Sequence, residues 1–155
     1  MSPFKPIHVP RRYLRDERGT AAIEFAALGG LMCMLLVVGA DLGMGFYSDM
    51  QVQTSAQAGA EYAAVHGFDA TAVSNAVTNA TSSSGITSSP APVQFCGCPG
   101  TSGVSSVTCG TSCPDGMSAG TYATVSATRT YTTLVPYPGF PNSYVQNASS
   151  TVRIQ

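Results

Sequence analysis

The apolar and polar positions divide the chain into a continuous apolar run, a helical segment and a strand-forming C-terminal part. From Phe25 to Ala40 no side chain is charged or strongly polar. A helix of this length spans about 24 Å, close to the ~30 Å hydrocarbon core of a bilayer, and extension towards Thr20 and Tyr47 adds the missing length. The run therefore predicts a single transmembrane helix.

Two other interpretations of the apolar run are disfavoured. A buried helix of a soluble protein would need a large apolar surface around it, and the polar remainder of the chain offers too little. A secretory signal peptide has a shorter apolar core and a small-residue cleavage site followed by a polar mature start. This run is longer, and no such site cleanly follows it, so the pattern favours a retained anchor.

Beyond the span, the helical pattern continues to His66 with an alanine-rich face (Ala56, Ala60, Ala63 and Ala64). Gly67 predicts the end of this helix, with glycine at the left-handed position. Asp69 predicts the N-cap of a short second helix with apolar residues at helical spacing. Residues 81–92 are rich in Ser, Gly and Pro and predict a loop.

After residue 92, apolar and polar residues alternate with the period of strands. The pattern predicts strands at 93–96, 121–135 and 144–154, with a proline-rich turn between the last two (Pro136, Pro138, Gly139 and Pro141). A long helix followed by an antiparallel sheet is an α+β arrangement. We divide the chain into a basic leader, a transmembrane and exported helix, a short helix with a Ser-rich loop, and an exported β module (residues 1–19, 20–67, 68–90 and 91–155).

Charge is distributed unevenly, although the formal net charge is only −1. Five of the seven Lys and Arg residues precede residue 19, whereas six of the eight acidic residues follow it. The positive-inside rule therefore predicts a cytoplasmic N-terminus and an exported C-terminal part. A nucleic-acid-binding protein would spread its basic residues over a folded surface, so we expect no nucleic-acid partner.

Small residues along the apolar run are spaced for helix packing. Ala22, Ala26 and Gly30 recur every four residues, and Gly39 and Gly43 form a GxxxG motif. Such stripes let two helix backbones approach closely in lipid. We expect Gly30, Gly39 and Gly43 to form a surface for association with another helix.

The segment Arg18–Phe25, reading RGTAAIEF, stands directly before the apolar run. A basic leader closed by Gly19 and followed by Glu24 and Phe25 resembles the processing site of type IV pilin-like proteins. That resemblance implies cleavage between Gly19 and Thr20 by a prepilin peptidase on the cytoplasmic side. Glu24 would be the fifth residue of the mature chain, and the apolar helix would remain as its anchor.

Within the pilin-like group, the chain resembles the TadE-like proteins of tight adherence (Flp) pilus systems. The residues that carry the resemblance are RGTAAIEFA, Gly45-Phe46-Tyr47, the stretch from Gln51 to Ala64, and the C-terminal strands with Arg153. The stretch AQAGAEYAA lacks the Arg that is common in the family, so TadF- and TadG-like relatives remain alternatives.

The resemblance implies a pseudopilin of the bacterial inner membrane that helps initiate or assemble an adhesive pilus. Its implied partners are the prepilin peptidase, other pilins and pseudopilins, the inner-membrane assembly platform and the lipid bilayer. The alternative is a membrane-tethered exported binding module that never enters a filament.

Four of the five cysteines cluster as Cys96, Cys98, Cys109 and Cys113. Four cysteines could bind zinc, but the Cys-x-Cys spacing is unlike a zinc ribbon. In an oxidising compartment, disulfides are the expected outcome for a module with so small an apolar core. A Cys96–Cys98 bridge would be strained, which leaves crossed or nested pairing. A hairpin between the two pairs favours the nested pattern, Cys96–Cys113 with Cys98–Cys109.

The sequence offers no pattern typical of an enzyme. Its carboxylates are scattered, its two histidines are isolated, and it contains no nucleophile elbow, phosphate-binding loop or metal-spaced histidine pair. We therefore expect neither catalytic residues, nor a metal site, nor a cofactor.

Overall fold

The structure, a computed structural model, describes residues 18–154. In this range two helices precede four strands: α1 Arg18–His66, α2 Ala70–Asn79, β1 Val93–Gly100, β2 Gly103–Ser106, β3 Gly120–Thr132 and β4 Ser143–Ile154. The α+β prediction is confirmed. The predictions for the basic leader rest mainly on residues 1–17, which lie outside the described residues.

The chain divides into two compact units, of which the first ends at Ala40 and the second begins at Asp41. In the first unit α1 exposes its apolar side chains on all sides, with Phe25 79% and Leu36 73% exposed. By length and composition, the helical segment Gly19–His66 could cross a membrane. A helix that is apolar all round is expected where lipid surrounds it, so this unit is compatible with a single-pass anchor.

The second unit contains a four-stranded antiparallel sheet in the order β2-β1-β3-β4. The longest pairing joins β3 and β4, from Thr121 opposite Ile154 to Thr132 opposite Ser143. β-branched residues and tyrosines recur along β3, which suits a pleated, half-buried surface. The predicted long strands are confirmed, although β3 ends at Thr132 rather than at residue 135.

The part of α1 after Asp41 packs on this sheet through small residues three and four positions apart, the spacing of one helix face. The core joins this face to α2 and β3 (Val52, Ala56, Ala60, Ala63, Val73, Val77, Ala123, Val125 and Ala127). Because these side chains are small, the helix can lie close to the sheet. The predicted alanine-rich face is confirmed, with Ala64 half-buried at its edge.

The connection between the two helices follows the predicted capping chemistry. Gly67 has a φ of +83°, which a residue with a Cβ rarely adopts. The Asp69 carboxylate accepts hydrogen bonds from the amides of Thr71 and Ala72, at 2.8 and 3.0 Å. These bonds satisfy amides that have no partner within the helix, so α2 begins where the sequence predicts.

The sequence did not predict β2. Gly103–Ser106 reads GVSS, a composition with weak strand propensity, and it forms a strand by pairing with an extended β1. β1 accordingly runs four residues beyond the predicted end at Cys96, to Gly100. Pairing with a neighbouring strand, rather than local preference, determines the structure here.

Candidate functional site

The residues of the predicted processing motif lie at the start of α1. Gly19, Thr20, Glu24 and Phe25 are all exposed. A Cβ placed on Gly19 would meet no atom within 4 Å. Thr20 and Glu24 are four residues apart, so their side chains lie on the same helix face one turn apart. The residues on both sides of the bond after Gly19 are therefore exposed, and the bond lies in the first turn of α1.

The three glycines predicted to pack against another helix make no such contact within the chain. A Cβ placed on Gly30, Gly39 or Gly43 would meet no atom within 4 Å. All three are exposed. The structure thus leaves these backbone positions open to a second helix.

Asp41, the first residue after the uncharged run, is held by residues near the end of β3. The Asp41 side chain is only 4% exposed. The Tyr131 hydroxyl donates to its Oδ1 at 2.7 Å, and the Leu134 amide donates to the same oxygen at 3.2 Å. The carboxylate is therefore compensated by two donors from the sheet, as a buried charge requires.

The two tyrosines beside Asp41, Tyr131 and Tyr137, both have a raised pKa. Burial raises the pKa of Tyr131 to about 12, and the hydrogen bond to Asp41 and its negative charge act in the same direction. Burial also raises the pKa of Tyr137, again with a contribution from Asp41. The Tyr137 hydroxyl is buried, and it has no partner within normal hydrogen-bonding distance among the described residues. Both phenols therefore stay neutral at physiological pH.

A second polar contact lies two helical turns further along α1. Ser48 Oγ donates to Gln146 Oε1 at 2.6 Å, and Gln146 Nε2 donates to the Gly45 carbonyl oxygen at 2.9 Å. A Cβ placed on Gly45 would come within 2.6 Å of the Tyr144 hydroxyl. We call the contacts of Asp41, Gly45 and Ser48 with β3 and β4 the polar clamp. It fixes the segment of α1 from Asp41 to Ser48 against the β3–β4 hairpin.

The sequence interpretation did not identify the polar clamp. Its partners lie 90 to 101 residues apart along the chain, and strand alternation does not specify which helix residue each strand residue meets. One signal was present: Asp41, Gly45, Ser48 and Val52 follow one another at intervals of four, three and four. This spacing places the four residues on one helix face. Without partners, that face would present the Asp41 charge directly beside the apolar run.

The four clustered cysteines form two disulfides, but the nested pairing expected from a hairpin is wrong. Cys96 bonds to Cys109 and Cys98 bonds to Cys113, with Cα separations of 5.1 and 5.5 Å. The β1–β2 register already places Ser105 opposite Cys98. The hairpin is therefore complete before Cys109 is reached.

The chain beyond β2 explains the crossed pattern. The Val107 amide donates to the Cys96 carbonyl oxygen at 2.8 Å, which brings the following residues, including Cys109, beside Cys96. A separate turn, in which the Cys113 amide donates to the Met117 carbonyl oxygen at 2.7 Å, then sets Cys113 near Cys98. Two successive turns thus produce crossed bridges where a single hairpin would produce nested ones.

Among residues 18–154, no group of three or more His, Cys, Asp or Glu side chains is placed to hold a metal ion. His66 stacks on Tyr62 with ring centroids 4.4 Å apart. This contact gives the histidine a packing role at the end of α1. The features that remain as a candidate functional site are the exposed N-terminal motif, the open glycines and the polar clamp.

Comparison with known proteins gives a family match in the N-terminal half of the chain. The family model described as TadE-like protein matches residues 19–61. The match includes the motif with Glu24, the whole apolar run and most of the later part of α1, which carries the polar clamp. No curated protein gives a match, and no solved structure does. The resemblance predicted from the sequence is confirmed over this segment.

Proposed function

We propose, from the premise that residues 19–61 form a TadE-like segment, that this chain is a pseudopilin-type subunit of a tight adherence pilus. In this role it helps to initiate or assemble the pilus and performs a structural rather than an enzymatic task. The observation that carries the proposal is the family match. It covers the processing motif, the apolar run and most of the helix that follows in one continuous segment.

The proposed processing step is cleavage between Gly19 and Thr20 by a prepilin peptidase. Both residues are exposed, and no atom lies within 4 Å of where a Gly19 Cβ would be. Cleavage there would remove the basic leader and keep all of the apolar run as the anchor. It would also create a new α-amino group one helical turn from the Glu24 carboxylate.

The proposed location is the bacterial inner membrane, with the N-terminus in the cytoplasm and residues after Tyr47 on the periplasmic side. The concentration of basic residues before residue 19 supports this orientation. The two disulfides support it independently, since such bridges persist in an oxidising compartment.

The proposed partners are other pilins and pseudopilins and the inner-membrane assembly platform. Gly30, Gly39 and Gly43 offer open backbone for helix-to-helix contact within the bilayer. A membrane-tethered module outside any filament would have no need for cleavage after Gly19, so processing distinguishes the two roles.

The test is the intact mass of the full chain expressed in its native host, with and without the prepilin peptidase. We expect a mature chain that begins at Thr20 only when the peptidase is present. A Gly19→Val variant should keep the leader, whereas Gly29→Val, which changes another α1 glycine where a Cβ would meet no atom within 4 Å, should be processed normally. Retention of Met1 in the presence of the peptidase would overturn the proposal.

A further inference from the structure

The connection between β3 and β4 is a closed, proline-rich loop, which we call the 133–142 loop. Its base is fixed by Thr133, whose amide and hydroxyl both donate to the Asn142 carbonyl oxygen, at 2.9 and 3.1 Å. At its tip the Phe140 amide donates to the Tyr137 carbonyl oxygen at 3.2 Å, and Gly139 has a φ of +85°. Pro138 followed by a glycine with positive φ is the pattern of a type II turn, so the tip has a defined shape.

This loop exposes apolar side chains and carries no charge. Leu134 is 56%, Val135 40% and Phe140 75% exposed. The sixteen residues from 130 to 145 contain no Asp, Glu, Lys or Arg. A surface loop in water would normally carry polar side chains, so the exposed Phe140 at its tip suggests a partner that is apolar.

The position of the loop along the helix is set by hydrogen bonds. The Leu134 amide and the Tyr131 hydroxyl both donate to Asp41, the first residue after the uncharged run. Asp41 is the first charged residue after the run, and the six residues that follow it, LGMGFY, are again uncharged. If the run spans the bilayer as proposed, the outward-facing end of the span lies between Asp41 and Tyr47, and the groups bound to Asp41 lie at the level of that interface.

We infer that the 133–142 loop is a second membrane contact, with Phe140, Leu134 and Val135 inserted into the interfacial region of the outward-facing leaflet. The inference rests on the proposed function, because it requires the uncharged run to span the bilayer. The occupant of this apolar surface is lipid. Continuity with the end of the span supports lipid over a second copy of the chain.

The loop backbone also suits an interface of low polarity. Three of its residues, Pro136, Pro138 and Pro141, have no amide hydrogen to satisfy. The amides of Leu134 and Phe140 donate within the protein. Since unpaired backbone donors are what makes irregular structure costly near hydrocarbon, the three prolines and these paired amides lower the cost of bringing the loop to the interface. Half-buried Tyr137 adds an amphipathic aromatic ring, a type enriched at that depth.

The chain contains no tryptophan, so a single introduced Trp reports its own surroundings. We would prepare full-length Phe140→Trp, Leu36→Trp and Val65→Trp and reconstitute each in phosphatidylethanolamine–phosphatidylglycerol vesicles. Matched vesicles would contain phosphatidylcholine brominated near the headgroup end of its acyl chains, which quenches nearby Trp. Val65 is 77% exposed and lies 24 residues beyond Asp41, about 36 Å along the helix.

We expect quenching at Phe140→Trp and Leu36→Trp and none at Val65→Trp. Val135→Trp provides a second probe of the loop should Phe140→Trp disturb it, and it should also be quenched. Quenching of Leu36→Trp without quenching at either loop position would overturn this inference and leave the proposed anchor intact. A blue-shifted, unquenched loop Trp would identify a second copy as the occupant and would equally overturn it. Absence of quenching at Leu36→Trp would contradict the proposed transmembrane anchor. The membrane contact of the loop would then be overturned as well, because it requires that anchor.

Discussion

The Tyr131 hydroxyl lies 2.7 Å from the Asp41 carboxylate, although 90 residues separate them in sequence. This contact joins the first residue after the uncharged run to the end of the longest strand. It fixes the register between α1 and the β3–β4 hairpin at one end, and Ser48 with Gln146 repeats the arrangement at 2.6 Å. The sheet is thus attached to the helix by directed polar bonds as well as by the small-residue core.

The raised pKa of Tyr131 makes stability depend on pH in the alkaline range. The folded pKa of about 12 exceeds the unfolded value of 10.0, so the fold favours the neutral phenol. This contribution is fully present below pH 10.0 and is lost as the pH rises towards 12, because the unfolded chain then releases a proton that the folded chain retains. Tyr131 is half-buried, so solvent screening keeps the effect modest.

We therefore expect the free energy of unfolding of the full chain in detergent to fall between pH 10 and pH 12. In Tyr131→Phe the fall should be smaller, with a residual slope from Tyr137, and stability at neutral pH should also decrease. Tyr47→Phe, which changes a tyrosine that is 60% exposed, serves as the control. An identical alkaline slope in Tyr131→Phe and the unmodified chain would contradict the assigned role of the hydrogen bond.

Gly59 allows α1 to approach α2 and β3, and its replacement should destabilise the exported part. A Cβ at this position would collide with a methyl group of Val77 and lie 2.8 Å from Val125 Cγ1. We expect Gly59→Ala to lower the free energy of unfolding by about 1–3 kcal/mol, because overpacking forces its neighbours to move. Near-ultraviolet circular dichroism of the tyrosines during denaturation would measure it.

Gly43→Ala is the matched control, since it changes a glycine of the same helix where no atom lies within 4 Å. Its stability should be unchanged or rise by up to about 1 kcal/mol, because alanine favours the helix. Equal destabilisation by both substitutions would show that the contact with Val77 and Val125 is not the cause.

The two disulfides should differ in their accessibility to reductant. Cys98 and Cys113 are 6% and 5% exposed, whereas Cys109 is exposed and Cys96 half-buried. Limited reduction of the folded chain should therefore open Cys96–Cys109 first, and non-reducing peptide mapping should find the crossed pairs. Removing the Cys98–Cys113 bridge by double alanine substitution should cost about 2–4 kcal/mol. Nested bridges in the exported protein, or opening of Cys98–Cys113 first, would contradict the structure.

Glu24 should be required for pilus assembly rather than for membrane insertion. A carboxylate close to a span is costly and needs a partner, and the α-amino group created at Thr20 would be one turn away on the same chain or on a neighbour. We expect Glu24→Gln and Glu24→Ala to insert normally and to reduce piliation sharply, as scored by membrane fractionation and by electron microscopy. Glu61→Gln, an exposed carboxylate of the same helix, should behave like the unmodified chain. Normal piliation in both Glu24 variants would show that Glu24 is only a charge at the membrane interface and is not required for assembly.

Local chemistry made some elements predictable. The N-cap at Asp69, the left-handed Gly67 and the turn at Pro138-Gly139 each depend on a few adjacent residues. The apolar run could be recognised in the sequence because a transmembrane span requires a minimum length of uncharged residues. These features are encoded within windows shorter than about 20 residues.

Long-range pairing was not predictable from a single sequence. β2 exists because β1 pairs with it, and the crossed bridges depend on a hairpin register that neither cysteine pair specifies. Gly59 carries no local sign that Val77 and Val125 will lie against it. In the polar clamp, Asp41 could be recognised as a charge at the end of the run, but its partners could not.

The sequence separation within the polar clamp also determines when the exported part can fold. On the proposed orientation, the helix after Tyr47 leaves the membrane before its strands exist, because Tyr131 follows Asp41 by 90 residues and Gln146 follows Ser48 by 98. Synthesis at about 5–20 residues per second leaves the helix without its strands for roughly 5–20 seconds. During that interval the small-residue face from Gly45 to Ala63 is uncovered and free to meet other chains. A newly inserted chain thus presents this face without its cover, and synthesis of the strands that carry Tyr131 and Gln146 ends that period.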